Sequence, residues 1–458
     1  MTLSFEELKS ALKVTIPLKG FITGVSTDTR TLKPGELFIA LSGENFNGND
    51  YVREALEKGA AAAVCTATDF NEEKVVVVKD TLDALLSIAS LFRDKFDLKL
   101  LALTGSVGKT TTRGMVSEVI SSKYKTLVTQ NNLNNEIGVS KTLLGLDPTY
   151  EAAVIEMGMN HFGEIERISR CAKPTLGIIT NVGVAHIENL GTREGVLRAK
   201  LEITAGMKKN SPLILNGDND LLKDYKNDEF RIIKFGIENK NCDVLADEIK
   251  QVSEGSYFTA HYGGKSVKGF VPALGKHNVM NAICAVAAGL FAGVELENSV
   301  RAIEGFKVEG RRQKIVKKHG FIFLEDCYNA NPDSVAAALG ILGQVECNRR
   351  IAVLGDMLEL GAHSDSAHRK SGELAAKSAD ILFTLGEKSK QTALEAKKMG
   401  CGKSESFTSK QELTKRLCQT LKEGDAVLFK ASRSMKLEDV ISSIYSALFD
   451  EKEGRDNI

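Results

Sequence analysis

The sequence predicts an α/β protein of three domains, and three observations carry that prediction. The chain has 458 residues, and at roughly 100–200 residues per domain such a length suits about three. Short apolar runs with strand character alternate with helical patterns, as in mostly parallel sheets covered on both faces. The alternation breaks near Gly305 to Gln313 and then restarts. The expected architecture is a small α/β N-terminal domain (residues 1–80), a central parallel-sheet domain (81–308) and a C-terminal Rossmann-like domain (309–458).

In the first segment, ELFIAL (Glu36 to Leu41), AAAAVC and VVVV (Val75 to Val78) read as buried strands. A Gly/Asn-rich loop, SGENFNGND, and a helix from Tyr51 to Lys58 lie between the first two. Thr81 to Phe92 has apolar residues at helical spacing and leads into the central domain. There the strands are LKLLALT, KTLVTQ, AAVIEM, TLGIITNV, PLILN and RIIKFG. SYFTAHYGGKSVKGFVP reads as a hairpin turning at Gly263-Gly264. Helices follow at Asn278 to Phe291 and Leu296 to Ile303. Beyond the break, GFIFLED, RRIAVLGDM, ADILFTLG and DAVLFKAS are each followed by a helix, giving a second doubly wound unit. The last residues, DEKEGRDNI, read as a frayed tail.

Composition narrows the function. Lys+Arg and Asp+Glu number 60 each, so the basic excess of a nucleic-acid binder is missing. Hydrophobic residues at 43% supply ample core material. No apolar run reaches the roughly 18–20 residues of a membrane span, and MTLSFEELKS lacks the pattern of a secretory signal. The eight scattered cysteines form no CxxC pair and read as free thiols in a reducing cytoplasm.

The sharpest local signal is LLALTGSVGKTTTRGMV. An apolar strand enters Gly105-Ser106-Val107-Gly108-Lys109-Thr110-Thr111, and a helical pattern follows. Glycines let backbone N–H groups approach phosphates, and the helix N-terminus adds positive potential. Lys109 can reach the outer phosphates, and the Thr110 hydroxyl can ligate Mg²⁺. The loop is a short TGxxGKT form, because Leu103 stands where the longer motif has its first glycine. Nucleotide binding is the stronger reading; a structural turn is the weaker one.

Metal ligands are expected at the carboxyl ends of strands beside that loop. Glu156 ends AAVIEM, where an unpaired carboxylate would be costly. His186 follows TLGIITNVGVAH, where a structural role competes, and His161 in MGMNHFGE is a weaker candidate. From spacing alone, Lys200 in LRAKLEI reads as an ordinary lysine on a helix surface.

Several longer segments carry a resemblance. They are TGSVGKTTT, NNLNNEIGVSKTLL, VIEMGMNHFGEI, NVGVAHIENLGTREGVLRAKLEI, LGKHNVMNAICAVAAG, LEDCYNANPDSV and IAVLGDMLELGAHSDSAH. In this order they resemble the Mur ligases of bacterial cell-wall synthesis, from STDTR at Ser26 to KASRSM near Lys430. The resemblance implies a first domain holding a uridine nucleotide, a central domain binding ATP and a third domain closing over it, with a hinge near Gly305 to Gln313. YNANP and LGDMLELG point to the member that joins D-alanyl-D-alanine to a UDP-N-acetylmuramoyl-tripeptide. It implies an acyl phosphate made with ATP, two Mg²⁺ sites, a monomer and a cytoplasmic location.

The same resemblance assigns residues. Gly105, Ser106, Val107, Gly108, Lys109, Thr110 and Thr111 match the phosphate loop. Thr110, Glu156 and His186 match metal ligands, and Lys200 matches a carbamylated lysine, an oxygen ligand suited to Mg²⁺. Asn278 and Asn281 match adenine-side asparagines, with helix capping as a compatible role. Asp326, Tyr328, Asn329 and Asn331 match the third-domain segment that reaches the nucleotide, and Arg311 or Arg312 a linker arginine. Ser26, Thr27, Asp28 and Arg30 match the uridine-nucleotide site, against a plain turn. Asn134 and Asn135 match a substrate-side motif, against capping or turn roles. Lys430, Ser432 and Arg433 are placed toward the dipeptide. The chain departs from the family at Asn47-Gly48-Asn49, where Asp-Gly-His is common, and at Glu325 and Cys327, where Asp and Ser are common.

Two other readings exist. A neighbouring ligase would add the third amino acid of the same peptide or polymerise glutamate on folate; the former commonly carries DNPR, and this chain has NANP. A P-loop switch or motor leaves the third-domain segments without a use. Charge balance over the whole chain also hides a local excess, since the linker from Arg311 to His319 carries Arg311, Arg312, Lys314, Lys317 and Lys318 with no acid.

Overall fold

The computed structural model describes residues 1–450 except Glu44, Phe70, Asn71, Glu309 and Arg311. The tail from Glu451 and part of the expected hinge therefore lie outside the described residues. Three main sheets with covering helices form the α/β architecture that the alternating pattern predicts.

The first sheet has four parallel strands, β1 (Val25–Ser26), β2 (Leu37–Ile39), β3 (Ala62–Cys65) and β4 (Val75–Val77), in the order β1-β2-β3-β4. The helix α1 (Thr81–Arg93) follows, and Asp80 caps it by accepting from the Leu82 and Asp83 N–H groups. Its apolar residues Leu85, Ile88, Ala89 and Phe92 are buried in one cluster with Leu37, Val64, Leu100 and Ile155. The first domain and one face of the central sheet thus share a continuous core. Arg93 is buried as well, and its Nε donates to the Ala172 carbonyl at 2.8 Å, fastening α1 to the central domain.

The central sheet has nine strands. They are β5 (Lys99–Thr104), β6 (Thr126–Val128), β7 (Ala152–Glu156), β8 (Leu176–Ile179), β9 (Pro212–Asn216), β10 (Arg231–Gly236), β11 (Val244–Val252), β12 (Gly255–Tyr262) and β13 (Lys265–Val271). The order is β6-β7-β5-β8-β9-β10-β11-β12-β13. The pairs from β6 to β11 are parallel, and β12 and β13 add antiparallel. The chain leaves β5 toward β6 on one side and later crosses to β8 on the other. The carboxyl end of β5 is therefore the topological switch point, where α/β sheets leave a crevice. The register sets Glu156 of β7 beside Leu103 of β5, and Thr104 beside Ile179 of β8.

The hairpin turns at Gly263 and Gly264, both with φ in the left-handed region, which a two-residue turn of this hand requires. Sequence reading missed β11, because VLADEIKQV is half polar and only partly covered. Helices α2 (Lys109–Ser121), α3 (Glu136–Leu144), α4 (Arg193–Leu201), α5 (Lys276–Ala292) and α6 (Leu296–Ile303) complete what the site needs.

The third sheet has the order β14-β15-β19-β16-β17-β18, with β14 (Lys314–Lys318), β15 (Phe321–Glu325), β16 (Arg349–Gly355), β17 (Ile381–Leu385), β18 (Lys403–Phe407) and β19 (Asp425–Lys430). Only β14 runs antiparallel. The charged edge strands β14 and β18 were not among the predicted strands, since KIVKK and KSESF lack a long apolar run. Helix α7 (Pro332–Gln344) opens with Asn331 as its cap, in a reciprocal pair with Ser334.

Candidate nucleotide site

The chain turns from β5 into α2 through Gly105 to Gly108. Two glycines make this turn possible. A Cβ on Gly105 would lie 1.9 Å from Thr180 Oγ1, and Gly108 has φ 78°. No side chain caps α2. Its first N–H groups therefore keep their donor capacity and the positive end of the helix for an anion. Lys109 Nζ donates to the Gly105 carbonyl at 2.7 Å, and burial lowers its pKa from the usual lysine range.

This loop lines a cavity of about 920 Å³ between the central and third domains. From the central domain the cavity receives Ser106, Val107, Gly108, Lys109, Thr110, Thr111, Asn134, Asn135, Glu156, His186, Asn278 and Asn281. From the linker and third domain it receives Arg312, Asp326, Tyr328, Asn329, Asn331 and Lys430. Residues far apart in the chain, and on two separate sheets, thus meet in one volume of the size that holds a nucleotide-sized ligand.

Glu156 is buried at the end of β7. Its carboxylate accepts from Asn134 Nδ2 at 2.8 Å and from Thr110 Oγ1 at 3.4 Å, and Arg113 Nη1 lies 3.4 Å away. Thr110 and Glu156 offer paired hard oxygens, and Mg²⁺ is usually held by one or two such protein ligands with phosphates and water completing the shell. The donors present fit that ion. Among the described residues there is no cluster of three or more His, Cys, Asp or Glu side chains, so a purely protein-made cage is absent there.

Lys200 corrects the reading from spacing. It sits in the last turn of α4 but is 1% exposed, not on the surface. Burial, reinforced by the charge of Lys109, holds its amine well below the ordinary lysine range. His186 has φ 60° and opens a short helix; its Nδ1 pairs with Glu359 of the third domain at 2.8 Å. That partner pulls the Glu359 carboxyl below its usual pKa. His161 is exposed beside Glu164 and lies apart from the cavity lining.

Asn278 and Asn281 do not cap α5, whose cap position is Gly275. Asn278 instead donates to the Leu274 carbonyl and to Gln313 Oε1, and Asn281 bridges Asn278 and Thr112. Asn135 caps α3 through the Gly138 N–H, while its neighbour Asn134 turns to Glu156. Arg312 stacks over the Tyr328 ring at 3.8 Å; Arg311 lies outside the described residues. Lys430 Nζ reaches Asp326 Oδ2 at 2.8 Å and the Asn329 carbonyl at 3.0 Å, tying two expected contacts together.

Other expected residues lie outside this lining. Ser432 is buried and accepts from the Leu358 N–H, and Arg433 pairs with Glu438 at 2.6 Å. Ser26, Thr27, Asp28 and Arg30 form a turn in the first domain. The Ser26 hydroxyl donates to the Asp28 carbonyl, and Arg30 holds the Asp28 carboxyl down to about 2. Asn49 fastens that domain locally through Thr66. Cys327 is buried, and Glu325 accepts from the Tyr445 hydroxyl.

Sequence reasoning missed Asn181, Arg113, Gln313 and Glu359, which act through contacts between distant segments and carry no local motif. It also missed Asp218, whose carboxylate accepts from three consecutive N–H groups, Ile237 to Asn239, at the cavity wall.

A phosphate loop at a sheet switch point, faced across a polar cleft by a second doubly wound domain, defines a three-domain phosphate-loop enzyme architecture. The Mur ligase middle domain matches residues 103–289, the Mur ligase glutamate ligase domain residues 310–433, and the Mur ligase family catalytic domain residues 21–93. The chain belongs to the Mur ligase family. It is 38% identical over 430 residues to the UDP-N-acetylmuramoyl-tripeptide–D-alanyl-D-alanine ligase of Bacillus subtilis (strain 168), covering 92% of this chain and 93% of that one. The enzyme of the same name from Escherichia coli (strain K12) is 36% identical, over 92% of this chain and 94% of its own. A crystal structure of MurF from Acinetobacter baumannii superposes with a TM-score of 0.89 at 32% identity, covering 97% and 99% of the two chains.

The steric limit at Gly105 gives a direct test. Gly105→Ala must displace the loop from Thr180, and a shift near 1 Å at such a site can cost about a hundredfold. Titration calorimetry with ATP should show a loss of that order; affinity within about twofold of the parent would mean that the loop accommodates a Cβ.

Proposed function

We propose that this protein is an ATP-dependent ligase that joins D-alanyl-D-alanine to the terminal carboxylate of UDP-N-acetylmuramoyl-tripeptide, releasing ADP and phosphate, in peptidoglycan precursor synthesis. The observation that carries the reading is the single cavity that combines the phosphate loop with the third-domain segment Asp326 to Asn331. Relatives of that printed name, matched over more than nine-tenths of both chains, support the substrate pair.

The chemistry asks for charge control. ATP phosphorylates the tripeptide carboxylate, the dipeptide amine attacks the acyl phosphate, and the tetrahedral intermediate collapses to the amide. Lys109 and the N–H groups opening α2 compensate phosphate charge as it moves, the usual basis of phosphoryl transfer. Thr110, Glu156, His186 and a modified Lys200 would hold Mg²⁺, which would supply charge neutralisation and orientation of the phosphates. Burial lowers the pKa of the Lys200 amine and so favours the uncharged form that captures CO₂, and no carboxylate among the described residues pairs with it; both support a carbamate at this position. Asn278 and Asn281 face the nucleotide base, and Arg312 with Tyr328 closes the phosphate side. Ser26, Thr27, Asp28 and Arg30 receive the uridine nucleotide, and Lys430, Ser432 and Arg433 shape the dipeptide side.

Among the described residues no helix is long and apolar enough to cross a membrane. The proposed dependence on ATP supports a cytoplasmic location.

The decisive assay mixes the protein with ATP, Mg²⁺, UDP-muramoyl tripeptide and D-alanyl-D-alanine and follows phosphate release and product mass. A product heavier by the dipeptide less water is expected. Phosphate release indifferent to the dipeptide would instead support a switch or motor, and a product lacking the mass of two alanines would overturn the reading. Lys200→Ala should lose most activity and regain part of it with added short carboxylates; unchanged activity without rescue would rule out a carbamate at this position.

A further inference from the structure

We propose that Asn181 is the positioning residue of the phosphate loop, taking two of its N–H groups out of phosphate binding and aiming the next one into the cavity. The inference rests on the nucleotide reading of the same site.

Asn181 lies just past β8, and its amide grips the loop at three points. Its Oδ1 accepts from the Ser106 N–H at 3.0 Å and from the Val107 N–H at 2.9 Å. Its Nδ2 donates to the Val107 carbonyl at 2.9 Å. Neighbouring residues reinforce the grip. The Thr180 hydroxyl donates to the same carbonyl at 3.1 Å, and the Gly183 N–H donates to Ser106 Oγ at 2.9 Å.

Peptide geometry then fixes a direction. The peptide between Val107 and Gly108 is trans and planar, so its C=O and N–H point opposite ways. With the Val107 carbonyl held toward Asn181, the Gly108 N–H faces away from it, at the uncapped start of α2 that lines the cavity. Gly108 accepts this orientation because its φ of 78° is open to glycine. The N–H groups of Ser106 and Val107 are satisfied internally, which leaves those of Gly108, Lys109, Thr110 and Thr111, the first four of α2, as the donors for phosphate.

Few side chains can replace this arrangement. The grip needs an acceptor and a donor on one short, planar group, and the inventory of side chains offers that combination in an amide. Asp retains the acceptor and loses the donor. Ala loses both.

The test uses the full chain with Asn181→Asp and Asn181→Ala. ATP and adenosine are titrated calorimetrically, KM for ATP and for D-alanyl-D-alanine are measured, and melting temperatures are recorded without nucleotide. Positioning predicts melting within a few degrees of the parent and a KM for ATP raised at least about tenfold in both variants. It also predicts adenosine affinity and the dipeptide KM unchanged within about twofold. Equal weakening toward adenosine and ATP, unchanged ATP affinity, or loss of folding in both variants would overturn it. Failure of the parent itself to bind ATP would instead overturn the nucleotide reading beneath it.

Discussion

Two lysine amines, that of the buried Lys200 and that of the half-buried Lys109 on the cavity wall, repel one another at the carboxyl end of the central sheet, and the rest of the site answers to that constraint. A buried ammonium without a partner is expensive, and two close together are worse. Both amines are pushed below the usual lysine range, Lys200 the more strongly. Glu156 is the acid nearest to hand, yet its carboxylate is already shared with Arg113, Asn134 and Thr110. Around the phosphate loop, Lys109 and the uncapped N-terminus of α2 supply a local positive potential that the phosphates of a nucleotide would answer. In the proposed chemistry a carbamate on Lys200 adds a further anion and turns a destabilising cation into an oxygen ligand.

The placement of that charge follows from topology. The switch between strands on either side of β5 opens the crevice, and the close approach of Gly105 to Thr180 sets the loop's depth in it. The third domain reaches across the gap through the Glu359–His186 pair, and its own Lys430–Asp326 pair lines the facing wall. Gln313, in the linker, bonds to His277 and Asn278 of the central domain. The linker and the asparagines Asn278 and Asn281 of α5 are thus joined in one hydrogen-bonded group.

Much of this was legible from local pattern. Buried parallel strands are continuous apolar runs, so β5, β7, β8 and β9 stood out, as did the glycine-lysine-threonine turn after β5. The charged or half-polar strands β11, β14 and β18 did not, because their pairing is decided by neighbours and not by their own composition. Lys200 was misplaced by spacing, since a lysine one turn from a helix end looks solvated unless the packing around it is known. The resemblance to a family gave it a different expected role, and the structure shows its burial. Asn181, Gln313 and Glu359 stayed invisible, for each is a single polar residue whose partner lies at least 35 positions away in sequence or on another domain.

In the proposed reaction the tripeptide carboxylate is activated by phosphoryl transfer inside this charged cavity. Labelling that terminal carboxylate with ¹⁸O and weighing the phosphate released with D-alanyl-D-alanine tests it most directly. An acyl phosphate predicts that one carboxylate ¹⁸O leaves with each phosphate formed. Phosphate free of the label, alongside normal product, would contradict the account.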